Sequence, residues 1–242
     1  MKLSNKILTG LAFISLIGII SSNLILKAEY ENSDKTDPYN WSYKKILEQP
    51  FKHIKILGGN VAWVVFEPNK FYSVRVFKQM NDIQKKEIKI YIKSDTLYVS
   101  FPYFSKKDAK QKHLRYSYRV RIFSPEITSI TAFNADIELD KLKQKKLVLN
   151  LKGNSKLGIE SKLMEMDSLW ISLSDTSEFH IYAPQDKIQP PINFKTVQAY
   201  VNGSSALNLG NSKIKSLQLS IDDNSAIQLS GDALKEFGKI KE

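Results

Sequence analysis

The sequence predicts an all-β chain, a parallel β-solenoid behind an N-terminal membrane helix, and three observations carry that expectation. Four segments in the second half repeat one strand, turn and strand pattern. The first half alternates apolar and polar residues as well. An uncharged apolar run of twenty residues, Ile7 to Leu26, opens the chain.

The repeats read LVLNLKGNSKLGI from Leu147, LWISLSDTSEFHI from Leu169, VQAYVNGSSALNL from Val197 and LQLSIDDNSAIQL from Leu217. Apolar residues recur at positions one, three, five, eleven and thirteen, which is the two-residue period of a half-buried strand. Between the strands stand Gly, Asn, Asp, Ser and Thr, residues that accept left-handed backbone or bond their own main chain. The ninth position is Ser155, Ser177, Ser205 and Ser225. Serines so placed satisfy turn backbone groups and stack, and the competing reading is a polar row that contacts a sugar.

The copies start 22, 28 and 20 residues apart, and the longest interval carries a Pro184 to Pro191 insertion. A unit of this length with one apolar face cannot bury that face alone, so consecutive units are expected to cover each other. A weaker fifth copy begins at Ile127, with Ile137 and Leu139 matching Leu157 and Ile159. Its Ile130 falls where the pattern asks for a polar residue.

In chain order, residues 1–27 read as a membrane anchor or signal segment. Twenty helical residues cover about 30 Å, the thickness of a bilayer's hydrocarbon. Lys2 and Lys6 precede the run, and a short basic tail stays cytoplasmic. A cleaved signal peptide is the alternative, because Ser21, Ser22 and Ala28 are small; Leu24 to Leu26 resume the apolar run beyond the serines and favour an uncleaved anchor. The remaining chain is then expected outside the cytoplasm, in the periplasm or at the surface, or secreted if the segment is cut.

Residues 28–50 read as a spacer and possible N-terminal cap, with a short helix at Trp41 to Glu48. Residues 51–231 form the β domain. Ile88, Ile90 and Ile92 alternate before a Ser94-Asp95-Thr96 turn into Leu97, Val99 and Phe101, and Tyr116, Tyr118, Val120 and Ile122 alternate further on. Residues 232–242 can form an amphipathic cap over an exposed strand edge.

Three segments, FKHIKILGGNVAWVVFEP, IKSDTLYVSF and YRVRIFSPEITSITAFNADIEL, are followed by the GNSKLGIE and DDNSAIQLSG turns. Together they resemble the head GIN domain, a family also described as auto-transporter adhesin head domains of bacterial envelope proteins. The resemblance spans roughly Phe51 to Gly231 and lies in the order and spacing of β segments. It implies a single-stranded right-handed parallel β-helix in the cell envelope, with adhesion as the suggested role and no catalytic residue to carry over.

The formal charge is +11 and unevenly spread: residues 28–125 hold 19 basic and 10 acidic residues, residues 126–242 hold 14 and 15. Lys106, Lys107, Lys110, Lys112, Arg115, Arg119 and Arg121 crowd into sixteen residues beside Tyr103, Phe104, Tyr116 and Tyr118. Such a cluster gathers polyanions; for an exported domain these are acidic glycan, lipid phosphate or an acidic envelope protein rather than nucleic acid. The competing reading is a solvated loop, which also covers Lys141, Lys143, Lys145 and Lys146. Trp170 and Tyr200 occupy outward strand positions where most copies are polar, so they are candidate stacking residues.

No catalytic, cofactor or metal site is expected. The chain has no cysteine, and His53, His113 and His180 share no ligand spacing. Asp136, Asp175, Asp222 and Asp223 approach one corner, the arrangement a carbohydrate-active enzyme would need, yet acids at turns are ordinarily turn formers. The functional expectation is a membrane-tethered, non-catalytic binding or adhesion module. The competing readings are that enzyme, or a structural or signalling envelope protein docking through Trp170, Tyr200 or the proline insertion.

Overall fold

The computed structural model describes residues 3–32, 35–58, 62–78, 88–101, 118–160, 165–182 and 192–239. The chain divides into two units, residues 1–43 and 44–242.

In the first unit a single helix, α1 (Leu3–Asn32), contains the apolar run. At about 1.5 Å per residue its 30 residues rise about 45 Å, beyond the hydrocarbon thickness. Its Asn5–Asn32 stretch has mean hydropathy 1.9 and none of its apolar window is buried, so length and composition suit a membrane span or a signal sequence.

The second unit holds two β-sheets. Its strands are β1 (Tyr43–Leu47), β2 (His53–Leu57), β3 (Trp63–Pro68), β4 (Ser73–Phe77), β5 (Lys89–Lys93), β6 (Thr96–Ser100), β7 (Tyr118–Ser124), β8 (Ser129–Phe133) and β9 (Asp136–Leu139). The repeats supply β10 (Lys143–Lys152), β11 (Lys156–Glu160), β12 (Glu165–Leu173), β13 (Glu178–Tyr182), β14 (Ile192–Val201), β15 (Ala206–Asn208), β16 (Ser212–Ile221) and β17 (Ala226–Gln228), and a short helix, α2 (Asp232–Lys239), follows. The nine-stranded sheet runs β1-β4-β7-β3-β9-β11-β13-β15-β17, the eight-stranded sheet β16-β14-β12-β10-β8-β2-β6-β5.

This corrects the expected single-stranded right-handed parallel β-helix. The protein is mostly β with one N-terminal helix, but its two sheets are mixed: β4 pairs antiparallel with β7, and β5 antiparallel with β6. Strand order also departs from chain order, because β2 lies between β8 and β6, and β3 between β9 and β7. The physical reason is local at one site: Ser94 and Asp95 take φ of 46° and 60°, the tight left-handed turn that folds β5 back on β6. The segment expected as a helix at Trp41 to Glu48 is likewise a strand, β1, at the sheet edge.

The four strong repeats pair in register through their first strands. Leu149 stands beside Ile171, Ile171 beside Ala199 and Ala199 beside Leu219, all in parallel. Their inward residues join those of the first half in one core, from Phe51 and Ile54 through Leu149 and Phe179 to Ile214. The odd Ile130 is explained by a one-residue offset. It pairs with Leu149 at a separation of 19 and is buried, while Ile137 pairs with Leu157 at a separation of 20. The corner between them is one residue shorter, and Asn134 takes it at φ 53°.

The recurrent serines tie the corners. The Ser155 hydroxyl donates to the Lys152 carbonyl at 2.6 Å and accepts the Ala135 N–H at 3.3 Å. Ser177 donates to the Leu151 carbonyl at 3.1 Å and accepts the Ser174 N–H at 3.0 Å. Ser225 lies 2.9 and 2.8 Å from the carbonyls of Val201 and Gly203. Ser155, Ser177 and Ser205 are buried, so this row satisfies backbone rather than reading a ligand.

Candidate functional site: the outer face of the eight-stranded sheet

With the core residues inward, the alternate residues of each strand stand on the outer faces. Register links them into continuous rows. On the eight-stranded sheet one row runs Tyr91, Tyr98, Lys55, Thr131, Asn150, Ser172, Tyr200 and Ser220. The row beside it runs Thr96, His53, Ser129, Val148, Trp170, Gln198 and Gln218. A shorter one holds Lys146, Ser168, Thr196 and Ser216. These rows contain hydroxyls, amides, aromatics and lysines, and no carboxylate.

Trp170 and Tyr200 are 41% and 48% exposed, which matches their outward assignment from alternation. The Lys146 ammonium sits 3.5 Å from the Trp170 ring centroid. A cation over an indole face is held by the ring quadrupole. Gln198 donates to the Tyr200 hydroxyl at 2.6 Å. At the far end of the row the Tyr91 and Tyr98 rings stack 4.9 Å apart and nearly parallel, with the Lys55 ammonium 5.7 Å from the Tyr98 centroid. His53 Nδ1 lies 2.8 Å from the Ser129 hydroxyl. The carboxylates of this sheet, Glu165 and Asp167, stand at the strand starts, where Lys143 and Lys195 take them at 2.9 and 2.8 Å.

The outer face of the nine-stranded sheet has the opposite character. Its rows run Trp63, Asp136, Lys156, Glu178 and, alongside, Val65, Glu138, Gly158, His180, Asn208. Glu178 accepts from Lys156 at 2.8 Å and pairs with His180 at 3.1 Å. Burial alone would raise the Glu178 carboxyl, but the hydrogen bonds from Lys156 and His180 outweigh it and hold the group below its ordinary range. Tyr182 stacks on His180, and burial followed by the Glu178 charge pushes its phenol up. Its ring lies over Gly158, where a Cβ would come within 2.5 Å of it.

The basic cluster divides. Lys106, Lys107, Lys110, Lys112 and Arg115 lie outside the described residues, as do His113 and the whole Pro184 to Pro191 insertion. Arg119 is on β7. Arg121 forms a largely buried ion pair with Glu67 across β3 and β7, so it holds two strands together and does not present a free charge. Lys55, Lys146, Tyr91 and Tyr98 were not singled out from sequence as binding residues. Alternation does place each outward, but only strand order brings them onto shared rows.

Asp175 and Asp222 act on backbone at the corners, whereas Asp136 stands on β9 between Trp63 and Lys156. Asp175 accepts the Gly153 N–H at 2.8 Å, Asp222 the Gly203 N–H at 3.3 Å, and Asp222 also the Asp223 N–H at 2.8 Å. No group of three or more His, Asp or Glu among the described residues could hold a metal ion. A cavity of 820 Å³ beside α2 is lined by Phe194, Ile214, Lys213, Lys215, Asp232 and Lys235. Its carboxylate is 3.8 and 3.6 Å from Lys213 and Lys235.

No family model matches the chain, and no curated protein does. Among solved structures it is similar to a "putative adhesin" from Bacteroides fragilis at 14% identity, covering 76% of this chain and 94% of that one with a TM-score of 0.43. A second "putative adhesin", from Parabacteroides distasonis, matches at 13% identity over 78% and 96% of the two chains, TM-score 0.40. A "putative lipid binding protein" from the same species matches at 12% identity over 78% and 94%, TM-score 0.40. Likeness at this level does not transfer a role to this chain.

Proposed function

We propose that the protein is a non-catalytic binding module of the bacterial envelope, tethered by α1 with its β domain outside the cytoplasm, and that it engages an acidic partner. The observation that carries this reading is the set of outer rows of the eight-stranded sheet that hold no carboxylate among the described residues, where the Lys146 ammonium lies 3.5 Å from the half-exposed Trp170 ring. Cations left over aromatic faces, rather than neutralised by acids, attract polyanions electrostatically while the rings offer flat contact area. The tether is supported by the apolar Asn5–Asn32 helix and by Lys2 and Lys6 ahead of it. The acids at the corners serve as turn formers, which favours binding over hydrolysis. The resemblance of Phe51 to Gly231 to the head GIN domain points to the same envelope role.

Two measurements test it. Membrane fractionation with N-terminal sequencing should find an uncut chain in the membrane pellet; a soluble chain lacking the first residues replaces the anchor by a signal peptide. Full-length protein in neutral detergent should be retained on an immobilised anionic polysaccharide at low salt and released as salt rises. Failure to be retained on any polyanion removes the reading.

A further inference from the structure

The outer face of the eight-stranded sheet has aromatic residues at both ends and polar residues between. From Tyr200 the row passes Ser172, Asn150, Thr131 and Lys55 before Tyr98. Five strand spacings of about 4.8 Å put the two tyrosines about 24 Å apart. The adjacent row adds Trp170, Gln198 and Ser129 on the same face.

From this layout we infer that the face binds one extended, negatively charged polysaccharide chain lying across the strands, with Trp170 and Tyr200 under one end and Tyr98 and Tyr91 under the other. The inference rests on the binding-module reading and assigns that module its surface and ligand class. Strand spacing is close to the rise of one pyranose unit in an extended glycan. Each sugar therefore meets the hydroxyl or amide of one strand, and a chain that follows the row stays in step with it. Pyranose rings present C–H faces that pack on aromatic rings, while their hydroxyls need donors and acceptors of the kind Thr131, Asn150, Ser172 and Gln198 supply. Lys55 and Lys146 stand on the rows and no carboxylate does, so the charge complement is an anionic chain.

Other occupants fit less well. A protein partner wants a desolvated apolar centre with a polar rim, and here the centre is polar and the rings lie toward the ends. A bilayer surface wants aliphatic side chains that enter it, and Val148 is the aliphatic residue of the two long rows.

The test titrates full-length protein in neutral detergent with oligogalacturonates of increasing length and with heparin fragments, at low salt, comparing wild type, Trp170→Ala, Tyr200→Ala, Tyr98→Ala and, on the other sheet, Lys156→Gln. All four side chains are partly or well exposed, and thermal melting checks that each variant folds. Affinity should rise with chain length up to about six sugars, one for each strand from β14 to β6 at about 4.8 Å spacing. Trp170→Ala and Tyr200→Ala should each weaken binding about tenfold. Tyr98→Ala should weaken only fragments long enough to reach it, and Lys156→Gln should change nothing. If anionic glycans bind equally to all variants, the surface assigned here is wrong while the module reading stands. If the three aromatic substitutions instead abolish binding to anionic lipid vesicles and leave glycans unaffected, the ligand class is wrong. If neither oligogalacturonate nor heparin binds the wild type, this inference falls, and the module reading falls with it only if immobilised polyanions of every kind also fail to retain the protein.

Discussion

The two outer faces sit over one core, yet they place their carboxylates differently: within the rows on the nine-stranded sheet, at the strand starts on the eight-stranded one. On the nine-stranded sheet Lys156 and His180 meet Glu178, and Arg121 meets Glu67, while Arg75 beside Arg121 lies 5.1 Å from the Phe123 ring centroid. On the eight-stranded sheet Lys146 and Lys55 lie over Trp170 and Tyr98, and the acids are held back at the strand starts. Cross-strand pairs of opposite charge stabilise a sheet by a few tenths of a kcal/mol to about 1 kcal/mol, so the first face is built for the fold. The second keeps such pairs at its strand starts, Lys143 with Glu165 and Lys195 with Asp167, while Lys55 and Lys146 in its long and short rows stand over rings instead. On the proposed reading, this difference assigns recognition to the eight-stranded sheet and leaves its counterpart to the fold.

The strongest way to break the comparison is to strike what both faces share. Leu149 is fully buried between Ile130 and Ile171. Leu149→Ala should destabilise the β domain by about 2–5 kcal/mol. Denaturant unfolding should show one transition, with hydrogen exchange in β11 and β12 rising together. Separate transitions for the two sheets would mean that they do not share a core.

A smaller effect is expected at the corners that join the sheets. Ser177→Ala removes a buried hydroxyl that serves the Leu151 carbonyl and the Ser174 N–H, and should cost about 1–3 kcal/mol. Polyanion retention should stay as in wild type. A loss of retention without a loss of stability would return the serine row to the list of ligand contacts.

The smallest effect sharpens the contrast between faces. Because Lys156 and His180 hold the Glu178 carboxyl below its ordinary range, the unfolded chain takes up that proton first on acidification. The contribution is therefore present above the ordinary carboxylate pKa and is lost as pH falls through the depressed one. Glu178→Gln should flatten this acid limb of the stability curve, with a cost at neutral pH of about 1 kcal/mol or less and unchanged glycan affinity. A Glu178→Gln variant whose stability falls as steeply in acid as wild type would remove the pair from the account.

Much of this was legible in the residues. The 22, 28 and 20 residue intervals pair Leu147 with Leu169, Leu169 with Val197 and Val197 with Leu217 as the repeat alignment requires. Trp170 and Tyr200 could be placed outward from alternation alone. Alternation states which face a side chain takes and is silent on which strand lies alongside, and there the expected β-helix failed. β2 pairs with β8 across more than seventy residues and with β6 on its other side, a long-range choice that no local pattern encodes. The same silence hid Lys55 and Tyr98 as neighbours of the Trp170 face. Trp41 to Glu48 misled for a related reason: a short, largely exposed edge strand leaves no core-facing alternation to distinguish it from a helical turn.

The central claim is that ligand is met on the eight-stranded sheet's outer face and not on its counterpart. Lysine acetylation footprinting of the full-length protein, with and without saturating polygalacturonate, tests it in one experiment. Lys55 and Lys146 should be protected on binding while Lys156 reacts at its free rate. Protection of Lys156, with Lys55 and Lys146 reacting as in the free protein, would contradict it.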